Sequence, residues 1–370
     1  MGRLVGQVPE ARRYYALDGY RFIAASLVAV YHYNTDFRLG LEQLSPAVPQ
    51  LGVMVDFFFL LSGFVIAVSY MGRMNDASDY ARFLRARFAR LYPLHLLTLA
   101  ATLALMGAGL AFGVRPNHPE AFALSALPAN FASLHAWGLV DHLSFNGGSW
   151  SISAEWFVYL LAPLAFLAAR RLPLAANVLL LAAIVCALTF VRSALGLRPW
   201  WDSSYDFGAA RAVPTFFAGV LIAVCLHAIP DRFAPRWTAA HATFALALLL
   251  LHFGAPRETV IATFALLLTM AALAERAGRP TVLAGRAMTT AGDASYAFYL
   301  THGLVAIVPL FVLRRFGLVG GPAACVVAIA AGGATLFVSV WLYRRFEQPT
   351  KRWILGAARR APMLRDATAR

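Results

Sequence analysis

The chain has 370 residues, of which 60% are hydrophobic and only 14% are charged, and its formal net charge is +14. Soluble domains contain nearer half apolar and a quarter charged residues, so the composition excludes an ordinary soluble fold. The basic excess does not indicate nucleic-acid binding, because no nucleic-acid module occurs in the sequence. The three cysteines are isolated and lack metal-ligand spacing, so neither a disulfide framework nor a metal site is expected.

Apolar runs of about twenty residues recur along the whole chain, which is the length that crosses a bilayer core. The sequence therefore predicts an all-α, polytopic integral membrane protein with about ten transmembrane helices. The predicted spans are 16–36, 51–71, 90–112, 149–169, 174–195, 208–228, 237–254, 257–275, 292–313 and 320–343.

The stretch between the third and fourth spans, PEAFALSALPANFASLHAWGLVDHLSFNGG, is too interrupted by Pro, Asn and His to span comfortably. We expect it to form an outer-face segment that could be partly re-entrant. Asp18 and Arg21 interrupt the first span and no clean cleavage site follows it, so this span is not a signal peptide.

Arginine placement predicts the orientation of the spans. With a cytoplasmic N-terminus, 23 of the 32 Lys and Arg residues fall on the cytoplasmic side, seven fall on the opposite side and two fall inside spans. Cytoplasmic loops carry such an excess, so both termini are expected in the cytoplasm. The outer-side pair Arg314 and Arg315 goes against the bias and would be explained by a shifted ninth span.

The first span, ALDGYRFIAASLVAVYHYN, contains two residues that are costly in a membrane, Arg21 and His32. They are eleven positions apart, which returns them to almost the same helix face at a separation of roughly 16 Å along the axis. An arginine and a histidine on one face indicate a path through the protein rather than contact with lipid.

Among the ionisable residues inside the predicted spans, Asp56, Glu155 and His302 are further candidates for the chemistry. With His32 they could converge in one polar cavity, where a carboxylate would orient an imidazole for general-base catalysis. Structural roles are open for each, because a histidine can bond a neighbouring helix and a carboxylate can cap a helix or pair with an arginine. Ser62 is interpreted as a small packing residue, since no base is placed beside it by sequence.

Three histidines lie between the third and fourth predicted spans: His118, His135 and His142. They lack metal-ligand spacing, and surface polarity is the better explanation for them.

The cytoplasmic stretch ARFLRARFARLYP carries arginines at positions 82, 85, 87 and 90, which orientation alone would explain. Arg87 and Arg90 are three residues apart, however, so both can face one anionic ligand. With Arg21 near the same membrane face, a phosphate-rich cytoplasmic ligand is expected.

Seven blocks in order resemble the membrane acyltransferase family 3. They are LDGYRFIAASLVAVYH, DFFFLLSGF, RFARLYP, SWSISAEWFVYLLAP, RAVPTFFAGVLIA, SYAFYLTH and RRFEQP. The resemblance implies one membrane domain over residues 1–370, with its motifs within about 14–350. Many relatives carry a further soluble esterase-like domain after the membrane domain, and we expect none here.

The resemblance also implies transfer of an acyl group, commonly acetyl, from cytoplasmic acyl-CoA to a hydroxyl of a carbohydrate acceptor. Arg21 and His32 correspond to the family's essential pair, and Arg87 and Arg90 to its cytoplasmic arginine motif. In the later blocks we assign Arg211 to the donor site and four residues to the acceptor site: Trp150, Ser153, Tyr296 and His302. The donor is expected to be acetyl-CoA, with its phosphates near Arg21 and its thioester reaching His32.

The preferred mechanism has His32 as general base, oriented by Glu155 or Asp56, while an acyl-histidine intermediate stays open. The alternative function is a proton-coupled transporter or flippase, for which the sequence shows no inverted repeat. We expect a bacterial cytoplasmic (inner) membrane location and membrane lipids as partners. The sequence does not indicate an oligomeric state. The acceptor is open among O-antigen, exopolysaccharide, capsule, lipo-oligosaccharide and macrolide.

Overall fold

The computed structural model describes residues 12–114 and 118–356, and this part of the chain is helical, without strands. The prediction of an all-α protein is confirmed. The helices are α1 (Tyr15–Phe37), α2 (Met54–Tyr70), α3 (Ala77–Ala111), α4 (Leu127–Phe131), α5 (Trp150–Arg171), α6 (Leu174–Ala194), α7 (Gly208–Leu226), α8 (Trp237–His252), α9 (Arg257–Arg276), α10 (Arg286–Asp293), α11 (Ser295–Arg315) and α12 (Pro322–Leu342). After α12 the chain continues through a π-helical turn at Tyr343–Glu347.

Each predicted span coincides with a helix, but the helices differ in how well they suit a bilayer. Among the described residues, eight helices are long and apolar enough to cross a membrane. The exceptions among the predicted spans are α1, which carries buried polar residues such as Asp18 and Asn34, and α8, which has 16 residues. A helix of that length covers about 24 Å, less than the roughly 30 Å hydrocarbon core. Ten spans and cytoplasmic termini therefore stay predictions.

Helix α3 begins 13 residues before the predicted third span, at Ala77 rather than at residue 90. Asp76 caps its N-terminus by accepting a hydrogen bond from the backbone N–H of Asp79 at 2.9 Å. This cap lets the helix extend beyond its apolar part. Arg87 and Arg90 consequently lie on a regular helix, one turn apart, and not in a loop.

Helices α2 and α7 form the centre of the protein, where they approach each other at two glycines. A Cβ atom at Gly63 would collide with the backbone of Phe216, and one at Gly219 would collide with the backbone of Leu60. Small residues permit such close approach between membrane helices. By contrast, α6 is almost wholly exposed along its apolar length, as expected for a helix that faces lipid.

Residues 118–149, which precede α5, fold into short helical turns that pack onto the helices. His95 of α3 donates from Nε2 to the carbonyl oxygen of Asn130 at 2.7 Å, and its ring stacks on that of His135 at 5.7 Å. His135 is buried and hydrogen bonded through Nε2 to the hydroxyl of Ser149 at 3.0 Å. Burial, reinforced by the neighbouring His95, lowers the pKa of His135 to about 3. The interpretation of His135 as surface polarity is therefore wrong, because tertiary packing covers it.

Candidate functional site

A cavity of about 200 Å³ lies between α1, α2, α3, α5 and α11. Its lining combines apolar side chains with charged groups that are unusual inside a bundle of apolar helices. Five residues singled out from the sequence line it: Arg21, Arg87, Arg90, Glu155 and Tyr296. The structure thus brings three of the four predicted donor-binding arginines together with one of the predicted catalytic carboxylates.

The three arginines are held by different partners. Arg21 pairs with Asp18, one helical turn earlier on α1, at 3.1 Å, and Arg90 pairs with the buried Glu347 of the π-helical turn. Arg87 donates to the hydroxyl of Tyr70 at 3.0 Å, while its Nε is buried without an acceptor among the described residues. No carboxylate lies within salt-bridge distance of Arg87 among the described residues, and an anion in the cavity that Arg87 lines would supply a counter-charge.

Glu155 lies in the same cavity and is bonded to two hydroxyl groups. Ser62 donates to its Oε1 at 2.8 Å, and Tyr159, one turn later on α5, donates to the same oxygen. Ser62 is therefore more than a packing residue. Its contact with Glu155 joins residues 93 positions apart, which no local sequence pattern reveals, although the spacing from Glu155 to Tyr159 is a visible i, i+4 pair.

His32 lies beside another histidine and not beside a carboxylate. The rings of His32 and His302 are 5.1 Å apart between centroids. His302 is fixed by a 2.6 Å hydrogen bond between Nδ1 and the carbonyl oxygen of Tyr299, which can only accept. Neutral His302 therefore carries its free lone pair on Nε2. Neither ring nitrogen of His32 forms a hydrogen bond with a described residue.

Tyr299 connects the two histidines to the cavity. Its ring lines the cavity and lies 5.9 Å from the ring of His302. Its hydroxyl accepts a hydrogen bond from Ser151, another lining residue, at 3.0 Å. Tyr299 therefore lies between the histidine pair and the cavity that the three arginines line. Tyr299 was not among the predicted site residues, although it lies within the SYAFYLTH block.

Asp56 and Arg211 form a fully buried, bidentate ion pair with distances of 3.0 and 2.7 Å. The Arg211 guanidinium also donates to the carbonyl oxygen of Ser203 at 3.1 Å and lies over the ring of Trp150. Both carboxylate oxygens of Asp56 are occupied, so the predicted contact that orients His32 is not formed. Arg211 is likewise satisfied within the protein and does not line the cavity, contrary to the predicted donor-site role.

The predicted acceptor residues separate into two groups. Ser153 is fully buried and accepts a hydrogen bond from the backbone N–H of Ala136 at 3.0 Å, so it anchors the segment between α4 and α5. Trp150 packs against Arg211. Tyr296 lines the cavity beneath the guanidinium of Arg90 and donates to the carbonyl oxygen of Leu91 at 2.5 Å. Only Tyr296 and His302 of this set lie at the cavity or beside it, because the other two are used in packing.

Comparisons with known proteins agree with the sequence motifs. The model of the family described as "Acyltransferase domain", acyltransferase family 3, matches residues 14–344. The chain is 29% identical over 342 residues to "Acyltransferase MdmB" of Streptomyces mycarofaciens, covering 85% of this chain and 82% of that protein. It is 34% identical over 162 residues to "Protein 2 in picA locus" of Rhizobium radiobacter, covering 40% of this chain and 76% of that protein. No solved structure matches.

Proposed function

Because this chain belongs to acyltransferase family 3, we propose that it transfers an acyl group from cytoplasmic acyl-CoA to a hydroxyl of a carbohydrate acceptor. Family membership and the apolar helices make it a multi-pass membrane acyltransferase. The proposal adds acetyl-CoA as the donor and a cell-surface polysaccharide or lipid-linked glycan as the acceptor. It also places the protein in a bacterial cytoplasmic membrane.

The observation that carries the proposal is the convergence of three arginines from α1 and α3 on one cavity. Acyl-CoA carries several phosphates, and guanidinium groups match phosphate oxygens with their forked donors. Arg87 has a hydroxyl group and no carboxylate as its partner among the described residues, and Arg90 can exchange its contact with Glu347 for phosphate. A cavity lined by three guanidinium groups suits the phosphate-bearing nucleotide end of the donor.

The chemistry is proposed to occur at His32. One helix carries both Arg21 and His32, so a donor held by its phosphates near Arg21 would extend its pantetheine arm for roughly 16 Å toward the histidine pair. His32 would take the proton of the acceptor hydroxyl as its oxygen attacks the thioester carbonyl, and the CoA thiolate would leave. His302, held by its hydrogen bond to the carbonyl oxygen of Tyr299, would pack against the His32 ring and fix its position.

The proposal is tested by mass spectrometry of surface glycans and envelope lipids from cells that produce the protein and from matched cells that do not. A mass increase of one acetyl group per modified hydroxyl, present only in the producing cells and absent with His32→Ala, is the expected result. Identical glycan and lipid masses in all three samples would contradict the proposal.

A further inference from the structure

We propose that Glu155, held by Ser62 and Tyr159, is a binding subsite for the amide groups of the donor's pantetheine arm. This inference rests on the proposed use of acyl-CoA and names the residues that recognise its middle part. The starting observation is that a cavity lined by three arginines also contains a carboxylate that pairs with none of them. Its hydrogen-bond partners among the described residues are two hydroxyl groups, Ser62 and Tyr159.

The two oxygens of Glu155 differ in their contacts. Oε1 accepts from both Ser62, at 2.8 Å, and Tyr159. Oε2 accepts from no described residue, and it is not among the sealed, unpartnered atoms of the interior. Since Glu155 lines the cavity, Oε2 is open to the cavity. The two hydroxyl groups fix the carboxylate so that one oxygen remains available to a ligand.

The position of Glu155 fits the middle of an extended donor. The arginines line the cavity, and so does Tyr299, whose ring lies beside His302, the neighbour of His32. Arg21 and His32 are roughly 16 Å apart along α1. Ser62 lies halfway along α2, eight residues from each of its ends. A ligand with phosphates at the arginines and a thioester near His32 therefore passes Glu155 with its central segment.

The chemistry of that segment matches a hydrogen-bond acceptor. The pantetheine arm is uncharged and carries two amide N–H groups, which lose their water when the arm enters the cavity. Much of the surrounding wall is apolar, including Phe58, Phe59, Ile66 and Ile152. A buried amide without a partner is costly, and a bond from an amide N–H to a carboxylate is among the stronger ones. Glu155 Oε2 supplies this acceptor.

The test compares two probes that cannot react. CoA contains the pantetheine arm, whereas 3′-phospho-ADP carries the nucleotide and phosphates of CoA without the arm. Calorimetry on the detergent-purified full chain gives the affinity for each. Glu155→Ala should weaken CoA binding by about tenfold or more, while 3′-phospho-ADP binding stays equal or tightens, because a negative charge is lost. Arg87→Ala should weaken both probes, and Glu258→Ala, the same change at an exposed site, should affect neither.

Two further variants separate recognition from folding. Ser62→Ala should reduce the affinity for CoA and leave the affinity for 3′-phospho-ADP unchanged. The loss should be smaller than in Glu155→Ala, because Tyr159 still donates to Oε1. Ser62→Thr, which keeps a hydroxyl group, should have the CoA affinity of the wild type. Glu155→Gln, which keeps the side-chain shape, should also weaken CoA binding and not 3′-phospho-ADP binding, but by less than Glu155→Ala. Unchanged CoA affinity in Glu155→Ala, or an equal loss for both probes, would overturn the inference while leaving the proposed function intact. Failure of the wild-type chain to bind either probe would overturn both.

Discussion

Arg21 lines the arginine-rich cavity, and His32, eleven residues later on the same helix, contacts the ring of His302. One rigid helix thus fixes the separation between a cation suited to phosphate and an imidazole suited to proton transfer, at roughly 16 Å along its axis. Any change in the relative position of these groups requires α1 itself to bend. The predictions below follow from this arrangement and from the contacts around it.

Replacement of His32 by Ala should remove acyl transfer while leaving CoA binding unchanged. The imidazole accepts a proton in the reaction and lies away from the arginines, so turnover should fall by about 10²- to 10⁴-fold. The measurement is release of CoA thiol from acetyl-CoA in envelope membranes that hold the acceptor. His118→Ala, at an exposed histidine, is the matched control and should be fully active. Wild-type turnover by the His32 variant at equal protein level would refute its role as base.

Replacement of Arg87 or Arg90 by Ala should weaken CoA binding. Each removes charge-assisted hydrogen bonds to phosphate worth about 1.5–3 kcal/mol. Arg90→Ala also leaves Glu347 buried without its partner, so binding should be measured in Arg90→Ala/Glu347→Gln as well. Arg82→Ala, which removes an exposed arginine of the same helix, is the control. Equal CoA affinities in all these variants would leave the arginines with a role in orientation only.

Replacement of Asp56 by Ala should destabilise the protein by about 3–5 kcal/mol, because Arg211 would stay buried without its partner. Thermal unfolding in detergent reports the loss. The double variant Asp56→Ala/Arg211→Met, which removes both charges, should regain much of the stability. A catalytic role for Asp56 would instead give a variant of normal stability and low activity, and that result would contradict the structural assignment.

Acidification should destabilise the protein partly through His135. Its pKa is about 3 in the folded chain, against about 6.5 when unfolded, so between these values the unfolded state binds more protons. Stability should therefore fall as the pH drops from about 6.5 toward 3. His135→Gln, which can keep the bond to Ser149, should lessen this fall in melting temperature measured against pH. An unchanged pH dependence in that variant would show that His135 is not buried in neutral form.

Local patterns in the sequence predicted the features that depend on one helix. The spacing of Arg21 and His32 and the i, i+3 spacing of Arg87 and Arg90 both follow from helix geometry. The positions of the main helices follow from hydropathy. The number of helices that cross the membrane does not, because α1 has Asp18 and Asn34 among its buried residues and α8 is short.

The roles of Asp56, Glu155 and His32 depend on contacts between residues that are distant in sequence, and local patterns do not reveal such contacts. Asp56 and Glu155 look alike in sequence, since each is a single carboxylate in an apolar helix. One is paired with Arg211, 155 positions away, and the other is held by Ser62 in the cavity. Likewise, the neighbour of His32 is a histidine on α11, a pairing that depends on how α1 and α11 pack.

Transfer across the membrane is tested most directly with inside-out membrane vesicles from cells that produce the protein. The cytoplasmic face of the membrane, where we propose that Arg87 lies, then meets the medium, and the proposed acceptor lies in the lumen. Labelled acetyl-CoA added to the medium should label luminal glycan in wild-type vesicles, and Arg21→Ala should abolish the labelling while the vesicles stay sealed to free acetyl-CoA. Labelling only when acetyl-CoA and acceptor share one side of the membrane would contradict a path from the arginine cavity to His32.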